Sequence, residues 1–244
     1  MISRNVCWLT LAAAYGGERV IAQLFLPKNV KPPYQVVIWF GGADSTILTS
    51  SDRPGSPFLF DFIVRTGRAL VVPVYKGTYE RRVPPGAIPT QNSRRDLMTE
   101  RSKDLGRTID YLETRPDINH DKVAYYALSL GAIVGSTVLA VEPRIKTAVL
   151  LSGGVARGTP PPEIDVGAFA PRIRMPILMI NGRDDFFYLL DTQQKPLFDY
   201  FGTPREQKKH VILDGVGHVP PPRPDMIREV LEWLDAHLGP VDRR

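Results

Sequence analysis

Residues 123–131 read VAYYALSLG, and this stretch guides the interpretation of the whole chain. Residues 123–128 are apolar or aromatic without polar alternation, which is typical of a strand buried on both faces of a parallel sheet. Residues 132–141 are also apolar, and with Gly131 they supply the small residues that let a helix pack close to a sheet. The stretch therefore predicts a strand, a sharp turn at Ser129 and a helix.

Seven further short runs rich in β-branched and aromatic residues predict strands at 6–11, 19–26, 35–40, 69–74, 147–151, 177–180 and 210–213. Helices are predicted at 93–114, 132–141, 192–201 and 226–238, and the third carries a capping-box pattern at Asp191 and Gln194. The alternation predicts an α/β fold, with an eight-stranded, mostly parallel sheet flanked by helices in one domain over residues 1–244.

The composition is that of an ordinary globular chain, with 43% hydrophobic and 23% charged residues. Cys7 is the one cysteine, so no intrachain disulfide can form, and no Cys/His cluster has metal-ligand spacing. The net charge of +5 comes from basic residues spread along the chain, without the basic and aromatic cluster typical of a nucleic-acid site. No apolar stretch is long enough for a membrane-spanning helix. We therefore expect neither nucleic acid nor membrane as a partner.

The N-terminal segment has two interpretations. Arg4 followed by residues 6–14 faintly resembles a short signal peptide. We favour a strand at 6–11, because Gly16-Gly17 then forms a turn into the strand at 19–26. On this interpretation we expect a cytoplasmic protein.

Ser129 lies between a predicted strand and a predicted helix, which is the position of the nucleophilic serine in a strand–turn–helix elbow. That strained turn needs small neighbours on both sides, and Ala127 and Gly131 are small. Ala127 replaces the glycine that is usual at the first position. A serine at the start of a helix is also a common N-cap, and the two roles are compatible.

A serine hydroxyl needs a base at neutral pH, and the chain has four histidines. We predict His218 as the base, because it follows the end of a predicted strand, where sites form in open α/β sheets. His120 precedes the predicted fifth strand, His210 opens the last one and His237 lies in the terminal helix, so these three lie elsewhere.

The base in turn needs a carboxylate that orients it. Residues 181–185, NGRDD, follow the strand predicted at 177–180. We favour Asp185 because the spacing from Gly182 matches the turn that usually presents this acid, and Asp184 is the alternative. One of the two is expected to be a solvated turn residue.

Two backbone N–H groups are expected to form an oxyanion hole, one of them from Leu130 after the nucleophile. The other is expected in the turn FGGAD, residues 40–44, with Gly42 as first choice and Ala43 as second. Ala43 is also a candidate substrate contact. Phe40 stands where a polar residue is often found.

Residues 75–92 show no helix or strand pattern and contain Pro84, Pro85 and Pro89. Such a segment is either a binding loop over the site or a proline-stiffened surface loop.

The elbow, acid turn and histidine loop together resemble the α/β-hydrolase superfamily, in its dienelactone-hydrolase and prolyl-oligopeptidase-like branch, over nearly the whole chain. More narrowly, AYGGER (14–19), YKGTYER (75–81) and NGRDDFF (181–187) resemble hydrolase domains fused to bacterial serine/threonine kinases. No kinase segment is present here, so we expect the domain to stand alone. The resemblance implies the α/β-hydrolase fold and the roles of nucleophile, acid and base for Ser129, Asp185 and His218.

The resemblance implies hydrolysis of small-molecule carboxylic esters through an acyl-serine intermediate, with no metal or organic cofactor. Residues 152–175 are too few for a large lid domain, which favours short to medium acyl chains. The alternatives are a peptidase acting on short peptides and a non-catalytic hydrolase-fold domain with a binding or regulatory role. Lys76, Tyr79 and Arg81 follow a predicted strand at the active-site end, so we expect them to contact the substrate or to order the loop.

Overall fold

The computed structural model describes residues 6–242, apart from Pro85, Pro89, Arg157 and Thr159. Its strands are β1 (Val6–Ala12), β2 (Arg19–Phe25), β3 (Tyr34–Phe40), β4 (Ala69–Pro73), β5 (Ile118–Leu128), β6 (Thr147–Leu151), β7 (Ile177–Gly182) and β8 (Lys208–Leu213). They form one eight-stranded sheet in the order β1-β2-β4-β3-β5-β6-β7-β8. The β1–β2 and β2–β4 pairs are antiparallel and the remaining pairs are parallel. The predicted mostly parallel sheet is confirmed.

The N-terminal segment begins this sheet as an edge strand. β1 pairs with β2 from Val6 opposite Phe25 to Ala12 opposite Arg19. This is the hairpin that the strand interpretation predicts. Arg4, the basic residue of the signal-peptide-like pattern, lies outside the described residues.

The helices are α1 (Asp61–Arg65), α2 (Gln91–Glu113), α3 (Leu130–Val138), α4 (Val166–Phe169), α5 (Lys195–Tyr200) and α6 (Pro224–Leu238). None of those in the described part of the chain has both the length and the apolar composition needed to cross a membrane. Between β6 and β7 the described residues form only α4 and short 3₁₀ turns, so no large lid lies there.

The capping box predicted at Asp191 is wrong. Residues Leu190–Gln194 form a π-helical turn that leads into α5, and Asp191 instead pairs with Lys195 at 2.6 Å. Pro196 lies in the first turn of α5 and has no N–H, so an α-helix begun at 192 would lack the hydrogen bond from residue 196. The α-helix therefore starts at Lys195, which places Pro196 in its first turn, where proline is tolerated.

Helices cover both faces of the sheet, and each face has its own apolar core. In β3, Val36, Ile38 and Phe40 belong to the core that includes α2 and α3 residues, whereas Val37 and Trp39 belong to the core that includes α1 and α6 residues. A strand buried on both sides needs apolar residues at every position, and each fully buried aliphatic side chain contributes about 2 kcal/mol. This explains the apolar runs without alternation.

The strand register aligns the carboxyl ends of the parallel strands. Ala127 lies opposite Phe40, Leu128 opposite Leu151, Leu151 opposite Ile180, and Gly182 opposite Leu213. The turns that follow β3, β5, β6, β7 and β8 therefore emerge side by side at one edge of the sheet.

Candidate active site

Ser129 occupies a strained turn between β5 and α3. Its backbone has φ 49° and ψ −103°, a conformation that costs a non-glycine residue about 1–3 kcal/mol. The Ser129 N–H donates to the Leu151 carbonyl at 2.8 Å, which ties the turn to the neighbouring strand. A Cβ atom on Gly131 would lie 2.3 Å from the carbonyl oxygen of Phe40, so this position requires glycine. Ser129 stands at the N-cap position, but its hydroxyl makes no capping hydrogen bond.

The Ser129 hydroxyl instead lies 2.7 Å from Nε2 of His218, and Nδ1 of the same ring lies 2.9 Å from Oδ2 of Asp185. The His218 side chain is 11% exposed and that of Asp185 is fully buried. Because Nδ1 faces a carboxylate, the ring carries its proton on Nδ1 and leaves Nε2 free to accept the serine proton. The structure thus brings together three side chains that are far apart in sequence.

Two backbone donors fix the Asp185 carboxylate. Its Oδ1 accepts the N–H groups of Phe187 at 2.8 Å and Tyr188 at 3.0 Å, which leaves Oδ2 for the His218 ring. The neighbouring Asp184 is exposed, and the two ring nitrogens of His218 face Asp185 and Ser129. Of the two candidate acids, Asp185 is therefore the one in contact with the histidine.

The histidine loop is anchored by Ser152, which the sequence analysis did not single out. Ser152 directly follows β6, is fully buried and has a φ of 56°. Its N–H donates to the Ile180 carbonyl at 2.9 Å, and its hydroxyl donates to the backbone carbonyl of His218. The signal in the sequence is the run Ser152-Gly153-Gly154 immediately after a predicted strand.

The acid turn and the histidine loop also meet through their backbones. A Cβ atom on Gly182 would lie 2.1 Å from the Val216 carbonyl oxygen, and the Asp184 N–H donates to that same carbonyl at 3.0 Å. Any side chain at position 182 would separate the two loops that carry Asp185 and His218. This close approach explains why glycine opens the acid turn.

Unpaired backbone N–H groups lie at the turns predicted to form the oxyanion hole. Among the described residues, the N–H groups of Leu130, Gly42 and Ala43 have no hydrogen-bond acceptor. The two turns are joined because the Gly131 N–H donates to the Gly41 carbonyl at 3.1 Å. That these groups bind an anionic oxygen beside Ser129, with Gly42 or Ala43 as the second donor, stays a prediction.

Lys76 and Arg81 are paired with carboxylates. Asp104 is completely buried and accepts the Arg81 guanidinium at 2.6 Å, the Lys76 backbone N–H at 2.7 Å and the Tyr15 hydroxyl at 2.8 Å. The Lys76 ammonium and Arg81 both pair with Glu18. Burial raises the pKa of Asp104, although the bonds from Arg81, Tyr15 and the Lys76 N–H oppose this. These contacts order the start of the loop.

Tyr79 is also a structural residue in this segment. It has a φ of 47°, is buried, and its hydroxyl accepts the Gly55 N–H at 3.0 Å. Residues 75–92 are thus ordered at their start by Tyr79, Lys76 and Arg81, whereas Pro85 and Pro89 lie outside the described residues. Contact between these three side chains and a substrate stays a prediction.

The other histidines do not contact Ser129. His120 lies inside β5, because this strand begins at Ile118, five residues earlier than predicted. In β8, Nε2 of His210 lies 3.0 Å from Oδ1 of Asn181, and burial lowers the pKa of His210 to about 4. The His237 ring packs on Trp233 in α6. Across residues 6–242 as described, no group of three or more His, Cys, Asp or Glu side chains could hold a metal ion.

Comparison with solved structures gives close matches in fold. A cold-adapted esterase from an Arctic intertidal metagenomic library superposes with a TM-score of 0.72 at 20% identity, over 98% of this chain and 99% of that one. An acetyl xylan esterase from Paenibacillus sp. R4 gives 0.70 at 16% identity, over 96% and 89%. A puromycin-hydrolyzing peptidase from Mycobacterium tuberculosis gives 0.73 at 15% identity. That match covers 98% of this chain and 40% of the peptidase, so this chain spans less than half of it.

Comparison of the sequence with protein-family profiles and with curated proteins gave no match. The narrower resemblances to dienelactone hydrolases and to kinase-fused hydrolase domains stay predictions. The eight-stranded sheet, the flanking helices and the superposition over most of the length of two esterases agree with one another. The chain has the α/β-hydrolase fold.

Proposed function

We propose that this protein is a serine hydrolase that cleaves carboxylic esters of short to medium acyl chain length. Ser129 is the nucleophile, His218 the general base and Asp185 the acid that orients the base. The observation that carries the proposal is the continuous hydrogen-bond chain from the Ser129 hydroxyl through His218 to Asp185, at 2.7 and 2.9 Å, on a strained turn. Strain of this kind persists at a turn only when the surrounding structure imposes it.

In the first half of the reaction, the Ser129 oxygen attacks the ester carbonyl while its proton moves to Nε2 of His218. The resulting imidazolium is stabilised by the buried Asp185 carboxylate. His218 then donates the proton to the leaving alcohol oxygen, the carbon–oxygen bond to that alcohol breaks, and an acyl-Ser129 ester remains.

In the second half, water takes the position of the departed alcohol. His218 removes a proton from this water as it attacks the acyl carbon, and then returns a proton to the Ser129 oxygen as the acid product leaves. Only these side chains and water take part, so the proposed reaction uses no metal or organic cofactor.

Each tetrahedral intermediate carries a negative oxygen that needs donors. The N–H groups of Leu130 and Gly42 are proposed for this role, with Ala43 as the alternative to Gly42. No acceptor for these groups lies among the described residues, which supports the proposal, as does the N-terminus of α3, whose dipole favours negative charge. Losing one such donor typically lowers kcat by about 10²–10³-fold.

The proposal is tested with p-nitrophenyl acetate, butyrate and longer acyl esters. We expect turnover that is highest for short or medium chains and is lost in Ser129→Ala. Ser50→Ala is the control, because it removes an exposed serine hydroxyl that is not part of the proposed Ser129–His218–Asp185 chain. Equal turnover in Ser129→Ala and the intact protein would refute the assignment.

Hydrolysis of short peptides is the second candidate, supported by the shared fold with the puromycin-hydrolyzing peptidase. An amide differs from an ester in that its amine leaving group must be protonated before it departs. Turnover of aminoacyl or proline-containing anilides above that of the esters would favour this candidate. A non-catalytic binding domain, the remaining alternative, would turn over neither class.

A further inference from the structure

Exposed apolar side chains cluster beside the Ser129–His218–Asp185 site. Twelve large hydrophobic residues are exposed in the described part of the chain, and four of them lie within four residues of Asp185 or His218. These four are Phe186, Phe187, Leu189 and Val219. Phe186 is 70% exposed and Phe187 is 56% exposed. Apolar surface grouped at one place marks a binding surface, whereas single exposed residues are ordinary.

The two phenylalanine rings have fixed positions relative to the proposed base. The Phe187 ring lies 4.6 Å from the His218 ring, centroid to centroid, and the Phe186 ring lies 4.6 Å from Phe187. The Phe187 N–H donates to Asp185, so the turn that presents the carboxylate also sets the place of the ring. The aromatic surface is therefore built into the acid turn.

The proposed reaction determines which part of a substrate meets this surface. The acyl carbon bonds to Ser129 and its oxygen faces the N–H groups of Leu130 and Gly42. The alcohol oxygen receives its proton from Nε2 of His218, so the departing alcohol lies beside the imidazole. The rings of Phe187 and Phe186 continue outward from that imidazole.

We propose that Phe186 and Phe187 form the binding surface for the leaving group, and that the preferred substrates are esters of aromatic alcohols. This inference rests on the proposed function, because it needs His218 as the proton donor. An aromatic alcohol can pack edge-on or offset against the exposed rings and remove their faces from water, which a small alkyl alcohol cannot do.

The test compares benzyl butyrate with ethyl butyrate in the intact protein, Phe187→Ala, Phe187→Leu and Phe58→Ala. Both esters give the same butyryl-Ser129 intermediate, so they share the deacylation step. A difference in rate between them therefore comes from acylation, the step in which the alcohol leaves. Phe58 is the matched control, because it is 46% exposed and lines a separate cavity with Trp8. Thermal unfolding of each variant confirms that it is folded.

We expect the intact protein to prefer benzyl butyrate by about tenfold or more in kcat/KM, and Phe187→Ala to lose most of that preference because its loss is much larger for benzyl butyrate than for ethyl butyrate. Phe187→Leu should retain part of it, and Phe58→Ala all of it. An equal loss for both esters in Phe187→Ala would overturn the inference, since the ring would then support His218 itself. An intact protein that cleaves both esters without preference also overturns it and leaves the proposed function standing. Failure to cleave either ester refutes the proposed function, and this inference with it.

Discussion

Replacement of Asp185 by asparagine tests the orientation of the proposed base at a single atom. Oδ1 of Asp185 accepts two backbone N–H groups, so the asparagine must keep its carbonyl oxygen there. Its NH₂ group then replaces Oδ2 and faces Nδ1 of His218, at 2.9 Å in the native structure. Nδ1 must become the acceptor, and the ring proton moves to Nε2.

In that tautomer Nε2 presents a proton to the Ser129 hydroxyl and cannot accept one. The variant also loses the negative charge that stabilises the imidazolium. We expect kcat/KM for p-nitrophenyl butyrate to fall about 10³–10⁴-fold, which corresponds to about 4–5 kcal/mol of transition-state stabilisation. The fold should change little in stability, because every hydrogen bond of the acid turn is retained.

Asp184→Asn is the matched control, since it makes the same chemical change at the adjacent, exposed residue. It should retain activity within about threefold, because the backbone N–H of Asp184, which donates to the Val216 carbonyl, is unchanged in the variant. The Asp184 side chain is exposed. Steady-state kinetics of the two variants, with thermal unfolding beside them, is the assay. Activity of Asp185→Asn within tenfold of the native protein, or an equal loss in Asp184→Asn, would refute the argument.

Three further predictions concern the residues around this site. Ser152→Ala removes the hydroxyl that anchors the His218 backbone, so kcat should fall about tenfold with KM nearly unchanged; a rise in KM at constant kcat in steady-state assays would contradict this role. Gly131→Ala places a Cβ 2.3 Å from the Phe40 carbonyl oxygen, which cannot move without breaking the sheet, and should lower the free energy of unfolding by about 2–3 kcal/mol in urea titrations. A loss below about 0.5 kcal/mol would show that the elbow adapts to the methyl group. Burial lowers the pKa of His210 to about 4 in the folded protein, whereas in the unfolded chain this histidine has its ordinary pKa of about 6.5. As the pH falls below about 6.5, the imidazole therefore becomes protonated in the unfolded chain before it does so in the folded protein. The contribution of His210 to the free energy of unfolding is therefore complete above that pH and decreases toward pH 4, with a loss of about 2 kcal/mol at pH 5. His210→Gln should remove this part of the pH dependence, and unchanged pH dependence in urea titrations at pH 5 and 7 would show that other groups cause it.

The buried strands could be predicted from the sequence because two-sided burial requires apolar residues throughout. The run at 123–128 in β5 is an example, since its side chains alternate between two apolar cores. The start of β5 could not be predicted, because residues 118–122 include polar and charged side chains at a partly exposed end of the sheet. For this reason the sequence pattern predicts His120 before the strand, whereas it lies within it.

Local patterns were less reliable where a backbone constraint acts against them. The capping-box pattern at Asp191 is present in the sequence, but Pro196 removes a hydrogen bond that an α-helix from 192 would need. The sequence also does not indicate whether a charged side chain is exposed to solvent or paired with an opposite charge. Lys76 and Arg81 follow a strand at the site end of the sheet, yet both are paired with Glu18, a contact between residues far apart in sequence.

The proposed site could be located from the sequence because its parts follow strand ends that a parallel sheet brings to one edge. Its supporting residues could not, because their role depends on backbone contacts between loops. The run Ser152-Gly153-Gly154 follows a predicted strand, but only the contact of Ser152 with the His218 carbonyl gives this serine a place in the site. The choice between Asp185 and Asp184 differs, because the spacing from Gly182 favours Asp185, and Asp185 is buried whereas Asp184 is exposed.

Reaction with a fluorophosphonate, followed by peptide mapping by mass spectrometry, tests the activated serine most directly. We predict one phosphonylated residue, Ser129, with no labelling in Ser129→Ala and labelling slowed by orders of magnitude in His218→Ala. Labelling of a different residue, or labelling of Ser129 at the same rate without the imidazole, would contradict the account.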